Sequence, residues 1–199
     1  LTDSRNAGMD MSHVLKLKNT RSGSYISITD TDGDLFVGLT DMNIADEMTV
    51  DYFKSKQDIL DGARAMVLSP CVAADVIGHL GRHFGDKPIF LDVVSKRYVP
   101  RLSDYLGMFH TVKANLPEAE QLTGITIDDD EGLVRAANMV LEQGAQCMVI
   151  SLGAEGVFYK DRAGQMLRKR TKAVTHMINA TGAGDALASL VGEHRLESL

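Results

Sequence analysis

The sequence predicts an α/β fold with a mostly parallel central sheet and helices on both of its faces. The order of the segments indicates this fold, and the length and composition indicate a single domain. After an initial hairpin, short apolar runs typical of buried strands alternate with amphipathic segments of helical length, and such alternation is typical of parallel strands joined by crossover helices. The chain has 199 residues, 44% of them hydrophobic, which is enough for one sizeable core. We therefore expect a single domain over residues 1–199.

The predicted elements follow one another in a regular order. Two β-rich runs, 24–29 and 35–39, flank an acidic turn and are typical of a hairpin. The segments beyond it predict strands over 65–69, 89–92, 112–114, 148–152 and 157–160, and helices over 73–84, from Asn115 onward and over 129–143. In open α/β sheets ligands bind at the carboxyl ends of the strands. The residues that follow each strand are therefore the first candidates for a site.

Composition and charge narrow the class of protein. The formal net charge is −6 and 24% of the residues are charged, which argues against nucleic acid or a membrane surface as the main partner. Cys71 and Cys147 lie far apart in apolar settings, as expected of buried thiols in a reducing compartment. No apolar run approaches the ~18 residues of a spanning helix. We expect a cytoplasmic protein.

The most informative motif reads Asn-Ala-Thr-Gly-Ala-Gly-Asp-Ala over residues 179–186. Gly182 and Gly184 allow positive φ and close approach of the backbone to a ligand, and the first N–H groups of a helix can bind an anion. A carboxylate at Asp185 would repel that anion unless it serves the reaction. One such catalytic role is to accept the proton of a hydroxyl that attacks a phosphoryl group. The motif therefore indicates a kinase.

Two further motifs lie upstream in the chain. Asn115 and Glu118 are three residues apart at the start of a short amphipathic helix, so their side chains share one face. An amide and a carboxylate together suit a hydrated Mg²⁺. The second motif is an apolar strand that runs into Ser151, Gly153 and Gly156. A hydroxyl and accessible backbone at a strand end favour ligand binding.

Each motif also has a purely structural explanation. The glycine turn is compatible with a plain helix start whose dipole Asp185 complements. An Asn followed three residues later by Glu is an ordinary helix cap, and the segment 147–157 is compatible with a hairpin turn that leads to the next strand. The occurrence of all three motifs in one chain favours the functional interpretation.

At these motifs the chain resembles the ribokinase-like family of carbohydrate and nucleoside kinases, whose signature is a Thr-Gly-Ala-Gly-Asp run. The resemblance implies a three-layer α/β/α fold with a β-hairpin lid over residues 14–44. It implies that Gly182, Ala183 and Gly184 form an anion hole and that Asp185 is the catalytic base. It also implies Mg²⁺ held through water by Asn115 and Glu118, and contacts to ATP from Asn179, Thr181, Ser151, Gly153 and Gly156.

Within the family, the hairpin and the residues after it look most like the pseudouridine kinases. Asp41, Asn43 and Ser69 are the substrate contacts that this similarity suggests. Asn179, where ribokinases have Asp, points the same way and removes one formal charge from the monovalent-cation site that many relatives have. One face of the hairpin would cover the substrate and the other would meet solvent or a second subunit. A homodimer through the lid is therefore a further expectation.

The resemblance implies ATP-dependent phosphorylation of a primary hydroxyl, with pseudouridine as the expected acceptor. Another sugar or nucleoside kinase of the same fold and a catalytically silent binding relative remain alternatives. Family members usually begin with a strand and a glycine-rich segment that holds the sugar, and end with helices that close over adenine. Neither end is visible in this sequence, so we expect the chain to be incomplete at both ends.

Overall fold

The structure is a computed structural model that describes residues 2–29, 35–85, 87–170 and 182–189. Its central feature is a sheet of six strands in the order β3-β4-β5-β6-β7-β8. The strands β3 to β6 are parallel, and β7 and β8 are antiparallel to their neighbours. Their bounds are Met66–Leu68, Ile89–Asp92, Thr111–Asn115, Cys147–Ser151, Val157–Asp161 and Met166–Lys169. The mostly parallel sheet that the sequence predicts is confirmed. The predicted bounds of β3 to β7 are correct to within one residue, and β8 is a strand that the sequence pattern did not predict.

A separate two-stranded sheet precedes it. Strands β1 (Ser24–Thr29) and β2 (Leu35–Asp41) pair antiparallel as expected, and β2 extends two residues beyond the predicted end. Ile26 faces Leu39 and Ile28 faces Val37 across the ladder, so these four apolar side chains share one face. The acidic turn between the strands lies outside the described residues.

The helices reproduce the predicted pattern after residue 65. Asp129 and Asn115 are helix caps, because their side-chain oxygens accept the N–H groups of Gly132 and Glu118. Three further helices, α1 to α3, have five or six residues each. Helices of this length are too short to be predicted from a periodic pattern. The helices α1 to α7 are Thr2–Asn6, Val50–Lys54, Gln57–Gly62, Ala74–His83, Leu116–Thr123, Asp130–Glu142 and residues 183–189.

The core lies on one face of the sheet. Alternate strand residues such as Leu91, Val112 and Ile150 pack with apolar residues of α4, α5 and α6 in one cluster. On the opposite face, Phe90 and Thr111 line a small cavity together with Ala188 of α7. Helices therefore cover both faces, which is the predicted three-layer arrangement. Within the described residues, every helix falls short of the length or apolar character that a membrane span requires.

Candidate functional site

The parallel strands end at one edge of the sheet with polar residues. Asp92 ends β4, Asn115 ends β5 and Ser151 ends β6. Asn115 and Ser151 are partners in the β5–β6 register, and Asp92 is the partner of Lys113 in the β4–β5 register. Because the carboxyl ends of parallel strands meet at this edge, the three residues lie along the same edge of the sheet. This edge is the candidate active site.

A buried ion pair lies at the centre of this edge. The Lys113 Nζ atom is 2.9 Å from Asp92 Oδ1 and 3.1 Å from Oδ2, and both residues are buried. The backbone N–H of Val94 also donates to Asp92 Oδ1 at 3.3 Å. Sequence reasoning assigned neither charged residue a role. The available signal was an acid at the end of one apolar strand and a lysine inside the next strand, which is uncommon because buried charges require partners.

The glycine motif rests against that ion pair. Gly182 has φ +82°, in the left-handed region that the motif predicts for a glycine turn. Gly184 follows within α7, and a Cβ atom built on it would lie 2.8 Å from Lys113 Nζ. Asp185 is exposed beside this contact. The structure thus brings Gly184 to the edge of the sheet, next to Lys113 and Asp92.

Asn115 and Glu118 form a reciprocal helix cap. Asn115 Oδ1 accepts the Glu118 N–H, and Glu118 Oε2 accepts the Asn115 N–H, each at 2.9 Å. Glu118 is only 4% exposed, and this burial raises the pKa of its carboxyl group above the ordinary 4.5, while the Asn115 N–H and the Lys113 ammonium oppose the rise. The capping explanation of this motif is therefore confirmed.

The same two residues also fit a hydrated magnesium ion. Their oxygen atoms are of the type that Mg²⁺ prefers, and Mg²⁺ keeps most of its waters, so a site with few direct protein ligands suits it. Among the described residues, no three His, Cys, Asp or Glu side chains are grouped closely enough to hold a metal on their own. A role of Asn115 and Glu118 in binding through water stays a prediction.

The third motif forms a tight turn between β6 and β7. Ser151 is half-buried and its hydroxyl donates to the Ala114 carbonyl at 3.4 Å. Gly153 has φ +58° and open space around its Cβ position. Gly156 has φ +96°, and any Cβ there would collide with the Lys169 carbonyl oxygen. The fold itself therefore requires Gly156, whereas Gly153 has an open Cβ position and a carbonyl that accepts the Gly156 N–H at 3.1 Å.

The expected substrate contacts fall at two places. Asp41 and Asn43 lie together just after the hairpin, where the Asn43 N–H donates to Asp41 Oδ1 at 3.4 Å. Ser69 follows β3, and its hydroxyl lies 3.2 Å from Cys71 Sγ. Cys71 is half-buried rather than buried, whereas Cys147 is buried as expected. Asn179 and Thr181, the expected nucleotide contacts, lie outside the described residues.

Comparisons with known proteins agree with this architecture. A protein-family profile described as "pfkB family carbohydrate kinase" matches residues 1–198. A pseudouridine kinase of Escherichia coli (strain K12) is 29% identical over 187 residues, which cover 94% of this chain and 59% of that protein.

Solved structures show the same fold. A sugar kinase structure from Clostridium perfringens superposes with a TM-score of 0.81 and 29% identity, over 100% of this chain and 62% of that one. An Arabidopsis thaliana ribokinase, solved with ribose and ATP, gives a TM-score of 0.62 at 16% identity over 72% of this chain and 46% of its own. The chain thus spans about three fifths of the length of the first of these relatives.

Proposed function

Because the chain belongs to the pfkB family of carbohydrate kinases, we propose that it carries the phosphoryl-transfer part of an enzyme that phosphorylates a sugar or nucleoside with ATP. The observation that carries the proposal is the approach of Gly184 to the Asp92–Lys113 pair at the carboxyl edge of the sheet. That contact brings the glycine motif, with the exposed Asp185, to the place where α/β proteins bind ligands. The proposal includes a cytoplasmic location, supported by the wide separation of Cys71 and Cys147 in the sequence, as expected of thiols in a reducing compartment.

The proposed mechanism divides the work among the motifs. Asp185 accepts the proton of the primary hydroxyl as it attacks the γ-phosphoryl group. The backbone N–H groups of residues 182–184 bind the phosphoryl oxygens on which charge develops. Asn115 and Glu118 would hold Mg²⁺ through water, and the ion would supply positive charge beside the phosphates. Ser151 and Gly153 would contact the nucleotide phosphates.

Glu118→Gln separates magnesium handling from helix capping. The glutamine carbonyl can still accept the Asn115 N–H, but the side chain brings no charge to the water shell of the metal. We expect a several-fold higher Mg²⁺ concentration at half-maximal rate. Glu120→Gln, the same charge change on the same helix, is the matched control and is expected to leave the Mg²⁺ dependence unchanged.

The melting temperature of Glu118→Gln gives the second readout. A carboxyl whose pKa is raised on folding stabilises the folded state when protonated, and this contribution is lost as pH rises above 4.5 through the folded-state value. The variant has no such group, so at pH 7 we expect it to melt at or above the wild-type temperature. A drop of many degrees with unchanged Mg²⁺ dependence would leave capping as the only role of Glu118.

Pseudouridine is the acceptor that we propose. The pseudouridine kinase of E. coli aligns with 94% of the chain, and the hairpin with Asp41 and Asn43 resembles that group of enzymes. Pseudouridine presents one more ring N–H than uridine, and a site built to bind it rejects an analogue without that donor. We expect kcat/KM for pseudouridine to exceed that for uridine and ribose by at least about tenfold, ~1.4 kcal/mol.

A coupled assay of the intact gene product with pseudouridine, uridine, adenosine, ribose and fructose 6-phosphate tests this preference. Equal or faster turnover of a competitor would show that pseudouridine is not the preferred acceptor, while the kinase class would stand. If ATP is not turned over with any of these acceptors but nucleoside binding is measurable, the result would instead favour a catalytically silent relative.

The hairpin is proposed as a lid that also joins two subunits. The face that carries Ile26 and Leu39 leaves these side chains 58% and 54% exposed, and exposed apolar patches mark interaction surfaces. Tyr25 and Thr40 lie on the other face. Ile26→Lys with Leu39→Lys is expected to convert a dimer into a monomer in sedimentation experiments. Unchanged mass, or a wild type that is already monomeric, would exclude this dimer.

A further inference from the structure

The Asp92–Lys113 ion pair has no role in the reaction as proposed above. Both residues are buried, with side-chain exposures of 9% and 7%. Removing two charges from water costs free energy, and well-packed apolar residues are often equally stable in such a position. A need for stability alone is therefore a weak explanation for this pair. Its surroundings offer a more specific one.

The turn of residues 182–185 contacts the pair where only glycine fits. A Cβ atom on Gly184 would lie 2.8 Å from Lys113 Nζ. The end of a lysine side chain can usually move aside, but this ammonium is held by both Asp92 oxygens. Ala188, one helical turn further along α7, lines the same cavity as Asp92 and Lys113. One position of α7 thus approaches the lysine directly, and a second lies across a small cavity from the ion pair.

The pair also acts on the second predicted component of the site. Lys113 lowers and Asp92 raises the pKa of Glu118, so both charges act on that carboxylate. Lys113 lies within β5, two residues before Asn115, and it is paired with Asp92 of β4 and Val149 of β6 in the sheet. The ammonium is therefore carried by a strand that is paired on both sides, and the glycine turn approaches it.

We propose that Lys113, clamped by Asp92, is a positioning residue for the Gly-Ala-Gly-Asp turn. The ammonium sets how closely the Gly184 backbone approaches the sheet edge, and this distance sets where Asp185 stands relative to the bound phosphoryl group. The inference rests on the proposed kinase function. Misplacement of a reacting group by about 1 Å can lower the rate about 10²-fold. We therefore expect a disturbed contact between Lys113 and Gly184 to lower kcat.

The test is a cycle of variants in the intact gene product. Asp92→Asn with Lys113→Met removes both charges and leaves no unpaired one, and methionine is one atom shorter, which vacates the position of Nζ. Gly184→Ala is made in the wild type and in this neutral background. Gly62→Ala, at a helical glycine whose Cβ position is open, is the matched control.

In the wild type, Gly184→Ala is expected to lower kcat at least about tenfold and to lower the melting temperature, with KM for ATP within about threefold. In the neutral background the same change is expected to cost less than about threefold, because the clash is gone. The neutral background itself is expected to fold normally and to lose kcat by about 10²-fold. Gly62→Ala is expected to leave kcat unchanged in both backgrounds.

Two results would overturn the proposal. One is wild-type kcat in the folded neutral variant, and the other is an equal effect of Gly184→Ala in both backgrounds. The melting temperatures keep the test separate from the kinase proposal. If the wild type phosphorylates no acceptor, the kinase proposal fails. The packing of Gly184 on Lys113 is still tested, because it predicts that Gly184→Ala lowers the melting temperature in the wild type but not in the neutral background.

Discussion

Asp185→Asn is expected to lower kcat by about 10²–10⁴-fold while nucleotide affinity changes little. Asparagine has the shape of aspartate but accepts no proton from the attacking hydroxyl, so the loss falls on the chemical step. Asp185 is exposed, and its replacement leaves no buried charge without a partner. The measurement is steady-state kinetics with the preferred acceptor, together with ATP binding by calorimetry.

Asp58→Asn is the matched control for this prediction. Asp58 is an exposed aspartate in the first turn of the short helix α3, as Asp185 is in α7. If Asp185 only complements a helix dipole, both substitutions should have small and similar effects on stability and none on kcat. Activity of Asp185→Asn within about threefold of wild type would eliminate the base role.

The sequence is most predictive where a local rule and the tertiary structure agree. The strand 89–92 is predicted to the residue because the apolar run of Ile89, Phe90 and Leu91 begins directly after Pro88, and the strand is buried throughout. The caps at Asn115 and Asp129 follow from side-chain chemistry within three residues. The glycine motif predicts the positive φ of Gly182. Each of these features depends on neighbours in the chain.

Features that depend on distant residues were not predictable in this way. Lys113 and Asp92 are 21 residues apart, and their pairing depends on the register of β4 against β5, which no local pattern encodes. Val94 has φ +63°, although β-branched residues strongly disfavour that region. It lies exposed two residues beyond Asp92, and its N–H reaches the Asp92 carboxylate. The strained backbone thus adjoins the ion pair that sequence reasoning missed.

Lys113→Met alone is expected to lower the free energy of unfolding by about 3–5 kcal/mol. The substitution leaves the Asp92 carboxylate buried without its ammonium partner. The carboxylate keeps the hydrogen bond from the Val94 N–H, at 3.3 Å. One such bond cannot replace the ammonium that now contacts both oxygens. The measurement is equilibrium unfolding in urea.

Comparison with the double change distinguishes loss of the partner charge from loss of packing. Asp92→Asn with Lys113→Met removes the stranded charge, and the amide oxygen can still accept the Val94 N–H, so most of the lost stability should return. Arg135→Met breaks the exposed ion pair with Glu131, whose closest N–O distance is 4.0 Å, and should leave the unfolding midpoint nearly unchanged because water screens that pair. If the double variant is as unstable as Lys113→Met alone, the lysine contributes by packing its methylene groups. If Lys113→Met unfolds at the wild-type midpoint, Asp92 does not depend on the ammonium, and the turn at Gly184 has no fixed charge to rest on.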